Sequence, residues 1–269
     1  APVQAGGQTL LFSIIHDITE QRAAEDQLRY RADLERLIAR LSTRFISASA
    51  EDVHAEIEHA LADLGRFIGV GRSYVFLVRG DGPLDERSLD NTHEWCAEGV
   101  TSQQAELQGL PCAAVPWWMA QLEQQGEVNI PDVAALPPEA AAERAMLEAQ
   151  DIDALVAVPM TWEGELVGFA GFVVVDPDTT LPENASTLLQ VVGDIFVNAL
   201  KQRETNLALR ESEVRHRTLA EHTTDIISRH ERDGAFVYVS PAARELTGYA
   251  PEELQQLDPR SLIHPEHLQ

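Results

Sequence analysis

The chain has 269 residues, 44% of them hydrophobic and 24% charged, which supplies a packed core and rules out a chain disordered by composition. Its formal net charge is −24 and its one lysine is Lys201, so the surface repels phosphate backbones and anionic headgroups; neither a nucleic-acid partner nor membrane contact is expected of this segment. Two cysteines, Cys96 and Cys112, in a chain of this length fit a reducing, cytoplasmic setting, and no run approaches the roughly 20 apolar residues that cross a bilayer.

In chain order, Thr9 to Ile15 is an apolar run suited to a buried strand. A lone strand does not fold, so its sheet is expected upstream of residue 1. A charged helix over 20–45 follows, with an apolar stripe at Leu34, Leu37, Ile38, Leu41 and Phe45. Ser49 to Asp52 has the look of a capping box, and Val53, Ile57, Leu61, Leu64 and Ile68 form the stripe of a second helix that Gly69 and Gly71 end. Ser73 to Arg79 alternates as a strand, Gly80-Asp81-Gly82-Pro83 turns, and Leu89 to Cys96 is a second strand. Residues 97–126 are irregular, with Trp117-Trp118 opening a short helix. Val128 to Ile130 is a brief strand, and Pro137-Pro138-Glu139 starts an alanine-rich helix running to about Gln150.

Ala154 to Trp162 and Glu165 to Val175 form the clearest hairpin, joined across Glu163-Gly164. Both strands are apolar on both faces and belong mid-sheet. From Pro182 a long helix begins. Near residue 200 it changes from core packing to a thin heptad seam, Leu200, Leu207 and Val214, amid charge. Past Arg217, two short strands flank an Asp233-Gly234 turn, and a helix follows over Pro241 to Thr247.

Three stretches resemble known families. The pattern Val158-Pro159-Met160 followed by Gly164-Glu165-Leu166-Val167-Gly168-Phe169 is typical of GAF domains, and residues 33–203 are similar to one. Within it, the segment from Asn91 to Trp118 is similar to GAF domains ahead of bacterial diguanylate cyclases and histidine kinases. Tyr238-Val239-Ser240-Pro241, Leu246-Thr247-Gly248-Tyr249, Pro251-Glu252-Glu253-Leu254 and Ile263-His264-Pro265-Glu266 resemble the first half of a PAS domain over 217–269. Asp17-Ile18-Thr19-Glu20 resembles the motif that closes a PAS domain, here over 1–19. The implied fold class is α+β: a GAF-like antiparallel sheet with helices on one face and a looped cover on the other, partial PAS-like segments, and long connecting helices over 20–45 and 195–216.

The implied function is sensing and relay within a PAS–GAF–PAS array, with a diguanylate cyclase or histidine kinase effector beyond Gln269. This segment itself is expected not to be an enzyme. Two alternatives stand beside this: a ligand-free spacer between PAS domains, and a small redox enzyme, which would need Cys96 and Cys112 as a reactive pair. A parallel homodimer through 20–45 and 195–216 is expected, with an unknown small-molecule ligand. Trp95, Cys96, Trp117 and Trp118 are the candidate ligand-binding residues, since tryptophans near one insertion can close over a ligand by stacking. Asp17 and Thr19 are the candidate coupling pair, and a helix cap is the plain alternative for both.

The cofactor is left unknown. Ala97 and Ala113 follow the two cysteines where bilin-binding GAF domains often carry histidine, and no Asn-Lys-Phe-Asp-Glu set is present, so bilins and cyclic nucleotides are both disfavoured. His93-Glu94 lacks the second histidine of a zinc protease, and His16 lacks the proline and apolar pattern of a phosphoacceptor helix, so neither a metal site nor a catalytic residue is assigned.

Overall fold

The computed structural model describes residues 2–5, 8–11, 17–176, 179–222, 225–232 and 234–257. Strands β1 (Pro2–Ala5) and β2 (Gln8–Leu11) pair antiparallel, so Thr9 to Leu11 of the apolar run have a partner at residues 2–4. Residues 12–15 of that expected strand, His16, Asp233 and the Ile263–Glu266 motif lie outside the described residues. Helices α1 (Thr19–Ser47) and α2 (Val53–Ile68) follow. The expected capping box differs in detail: the N-cap of α2 is Asp52, which makes no side-chain cap hydrogen bond, and Ser49 Oγ donates to its carboxylate at 2.6 Å.

The central sheet is built from β3 (Arg72–Arg79), β4 (Ser88–Cys96), β5 (Leu110–Pro111), β6 (Val128–Ile130), β7 (Ala154–Trp162) and β8 (Glu165–Val174). It is antiparallel in the order β5-β4-β3-β8-β7-β6. The β7–β8 hairpin therefore sits inside the sheet. Its turn places Glu163 at φ 53° and Gly164 at φ 87°, the two left-handed residues of a type I′ turn. Between β5 and β7 the chain forms α3 (Pro116–Gln125) and α4 (Ala141–Glu148). After β8 comes α5, a single helix over Ala185–His222.

Period-2 alternation divides the sheet residues between two cores. On one face Val75, Val156, Val158, Ala170 and Phe172 pack against α1, α2 and the first half of α5, whose Leu189, Val192 and Phe196 are fully enclosed. On the other face Tyr74, Phe76, Leu155, Phe169 and Val173 meet α3, α4 and the loops around them. The strands are thus covered above and below, and their near-continuous apolar sequence follows from that.

Contacts divide the chain into units Ala1–Leu200 and Lys201–Gln269. Within the second, β9 (Ser228–His230) and β10 (Phe236–Val239) pair antiparallel, and α6 (Ala242–Thr247) and α7 (Pro251–Leu254) follow. Buried Ser240 joins the strand ends: its Oγ accepts from Ile227 N–H at 3.0 Å, and its own N–H donates to Ile227 O at 2.8 Å.

Candidate functional site

Strand β4 is not regular. Opposite β3, Val75 pairs with His93 but the next residue, Phe76, pairs with Asn91, so Thr92 is the extra residue of a β-bulge. A bulge reverses the side-chain parity of everything beyond it. Leu89 and Asn91 therefore face α3 and α4, while His93 and Trp95 face α1 and α2, and Glu94 and Cys96 return to the α3–α4 side.

This corrects the grouping expected of the tryptophans. Trp95 lies against Gly65 of α2 on the opposite face, with the Arg66 guanidinium 5.6 Å from its ring centroid. His93 stacks on His54 of α2, with His54 Nδ1 and His93 Nε2 2.8 Å apart. Burial, the adjacent His54 and then Arg79 push its pKa down to about 4. Trp117 is half-buried beside the second core and outside the cavity, whereas Trp118 lines it.

The cavity lies between the sheet and the α3–α4 cover, with about 70 Å³ of free space. Phe76 and Phe169 stack in its wall, centroids 4.9 Å apart and 10° from parallel. Tyr74 meets both edge-on, and Trp118 leans on Phe169 at 5.6 Å. Burial raises the Tyr74 hydroxyl well above its ordinary pKa, so it stays protonated.

Into this apolar pocket the chain brings polar groups from sheet and cover. Arg72 stands at the start of β3, 4% exposed, and its Nη1 donates to Gln150 Oε1 at 3.1 Å. Glu143 of α4 is 1% exposed. Its Oε1 accepts from the backbone N–H groups of Trp117 (2.9 Å) and Trp118 (3.2 Å), which the first turn of α3 leaves without intrahelical acceptors. Glu94 is occupied at both oxygens. Oε1 accepts from Asn91 Nδ2 at 3.1 Å, and Oε2 accepts from Gln103 N–H at 2.8 Å, Gln104 N–H at 3.2 Å and the Ser102 hydroxyl.

Four buried atoms of cavity-lining residues have no hydrogen-bond partner among the described residues: Arg72 Nε, Asn91 Oδ1, Trp118 Nε1 and Glu143 Oε2. Two are donors and two are acceptors, and buried orphans of this kind are uncommon in folded proteins. Arg72, Asn91 and Glu143 were not singled out in the sequence. The available signal was a charged residue in register with the inward series Tyr74, Phe76 and Val78.

The cysteines are both free thiols, in different settings. Cys96 Sγ points to Glu94 Oε2 at 3.7 Å, and burial first, then Glu94, pushes its thiol up to about 11. Cys112 is buried in the single turn Cys112–Ala114 ahead of α3, and burial raises its thiol too. No group of three or more potential metal ligands occurs among the described residues. Asp17 Oδ1 accepts from Thr19 N–H at 2.9 Å at the start of α1, and hydrogen bonding with the Thr19 side chain first, then with this N–H, holds its carboxyl below the usual range.

An antiparallel sheet with a helical layer on one face and a covered, partly polar cavity on the other defines an α+β domain of the cavity-bearing type. The chain belongs to the GAF domain family, which matches residues 52–200. No curated protein sequence matches it. Among solved structures, it is similar to the phycoerythrobilin-bound GAF domain from a cyanobacterial phytochrome: 19% identity, TM-score 0.52, covering 64% of this chain and 96% of that one. The phycocyanobilin-bound GAF domain from a cyanobacterial phytochrome gives 19% identity, TM-score 0.51 and the same coverage. The bacteriophytochrome RpBphP3 from the photosynthetic bacterium R. palustris gives 15% identity and TM-score 0.54 over 70% of this chain and 41% of that one.

These likenesses correct the expectation that set bilins aside, because solved domains of the same fold hold them. That expectation rested on the residues after Cys96 and Cys112. Those residues bear on attachment through a thiol, not on whether the fold can enclose the pigment. Among the described residues no helix is long and apolar enough to cross a membrane.

Proposed function

We propose that this GAF domain is the input module of a signalling protein: it takes up a small ligand between the sheet and the α3–α4 cover and passes the change in packing to α1 and α5. The observation that carries this reading is the set of four unpartnered buried polar atoms gathered on one apolar cavity. An apolar pocket with a few convergent polar groups is the usual form of a ligand site. Phytochrome GAF domains of this fold hold bilins, so biliverdin and phycocyanobilin belong in the ligand panel beside haem, flavins, nucleotides and small amphiphilic metabolites.

Thermal shift on the whole chain is the test. A compound bound only by the native state raises Tm by mass action, by an amount equivalent to about 2.7 kcal/mol at a hundred times its Kd. At least one class is expected to do so. A panel without effect would leave the module as a spacer that sets distance between its neighbours.

The relay proposed here runs along α5 into a PAS-like segment and on to an effector of the diguanylate cyclase or histidine kinase kind, in a homodimer paired along this helix. Supporting the pairing, the seam residues Leu207 and Val214 are 38% and 62% exposed, an apolar line that a second copy would cover. Light scattering of the whole chain is expected to give twice its 29.7 kDa mass, and Leu207→Ser with Val214→Ser to return it to monomer. A monomer at high concentration before substitution would overturn the pairing.

A further inference from the structure

Arg72 is a buried guanidinium without a carboxylate. Two carboxylates line the same cavity: Glu94 is engaged by three hydrogen-bond donors of residues 102–104 and by Asn91, whereas Glu143 is engaged only at Oε1, by the first turn of α3. No ion pair within 4.0 Å includes Arg72 among the described residues, and its one side-chain hydrogen bond is to the neutral amide of Gln150. A buried charge left uncompensated is costly, and the compensation that fits an unpartnered Nε–H is an anionic oxygen. Trp118 Nε1–H is a second donor for it.

The other two orphans ask for the opposite. Glu143 Oε2 and Asn91 Oδ1 accept only, and a carboxylate in an apolar pocket favours a cationic donor. Around these four atoms the walls are apolar, with Phe76 stacked on Phe169. Water alone would satisfy the four atoms but would give neither the guanidinium nor the Glu143 carboxylate a charged partner within hydrogen-bond reach.

Resting on the ligand-binding reading above, we propose that the cavity takes a zwitterion with an apolar body, an α-amino acid with a hydrocarbon side chain. Its carboxylate answers Arg72 and Trp118, its ammonium answers Glu143 and Asn91, and its side chain lies on the aromatic wall. Each charge is then met by one residue of the sheet and one of the cover, so binding ties the two layers together.

Calorimetric titration of the whole chain tests this with three probes sharing one isobutyl body: L-leucine, 4-methylpentanoate, which lacks the ammonium, and 3-methylbutylamine, which lacks the carboxylate. L-leucine is expected to bind at least about tenfold more tightly than either, since a charge-assisted hydrogen bond is worth about that factor. Glu143→Gln keeps an acceptor for α3 and is expected to weaken L-leucine to the level of 4-methylpentanoate while leaving the latter unchanged. Arg72→Gln is expected to do the converse; should it not fold, the three-probe comparison on the unsubstituted chain decides alone. Equal affinity for all three overturns the zwitterion and leaves the ligand cavity standing, as does binding of another class of compound with none of these three. Absence of binding by every class overturns both.

Discussion

Glu143→Ala is expected to lower the unfolding free energy by about 3 kcal/mol, read from the urea midpoint at unchanged slope. The carboxylate is inside the protein, and its Oε1 is the acceptor for two N–H groups at the start of α3. Truncation strands both, and Trp118 N–H is buried. A partial offset comes from removing the unpartnered Oε2, which is why the loss is not larger. Glu143→Gln keeps a carbonyl oxygen for the helix and is expected to cost under about 1 kcal/mol. If alanine costs as little as glutamine, under about 1 kcal/mol, the carboxyl is not what holds α3 in place, and the cover of the cavity must be anchored elsewhere.

Gly168→Ala is expected to be at least as damaging, about 3 kcal/mol or more, with a fall in soluble yield. Gly168 lies in β8 opposite Leu77 of β3, the pairing at the middle of the sheet. A Cβ there would run into the Phe76 carbonyl oxygen and stand 3.2 Å from Leu77 Cα, both backbone atoms of a central strand. Such atoms cannot step aside without breaking the ladder. Gly193→Ala in α5 is the control: its Cβ would meet only Met160 Cγ, at 3.4 Å, the flexible part of a methionine. In a helix that exchange is expected to be neutral or to stabilise by up to about 1 kcal/mol. Equal loss at both positions would show that close strand approach is not the reason for glycine at 168.

The elements most legible in the sequence were those whose pattern is local. The β7–β8 hairpin announced itself through two apolar runs around Glu163-Gly164, and the helices through stripes at three- and four-residue steps. The G-x-L-x-G spacing carried the family because its glycines answer to fixed backbone approaches, such as that of Gly168 to β3. The site was less legible. Simple alternation from Leu89 puts Asn91, His93 and Trp95 on one face, and only the pairing with β3 reveals that Thr92 is an inserted position. A bulge depends on the partner strand, which a single run of residues does not display. Arg72 sat just before the stretch read as a strand. Glu143 lay in an alanine-rich helix where an acid ordinarily faces solvent; its burial follows from where α3 begins.

The same irregularity has a mechanical consequence. Asn91 and His93 are two positions apart along the backbone, yet one borders the cavity and the other touches His54 in the helical layer. In a regular strand residues two apart share a face, and here the inserted Thr92 lets two such residues face opposite sides. Any movement of the Asn91 backbone must be absorbed by Thr92 or handed to the histidine pair, which makes this short stretch of β4 a natural fulcrum between the two sides of the domain.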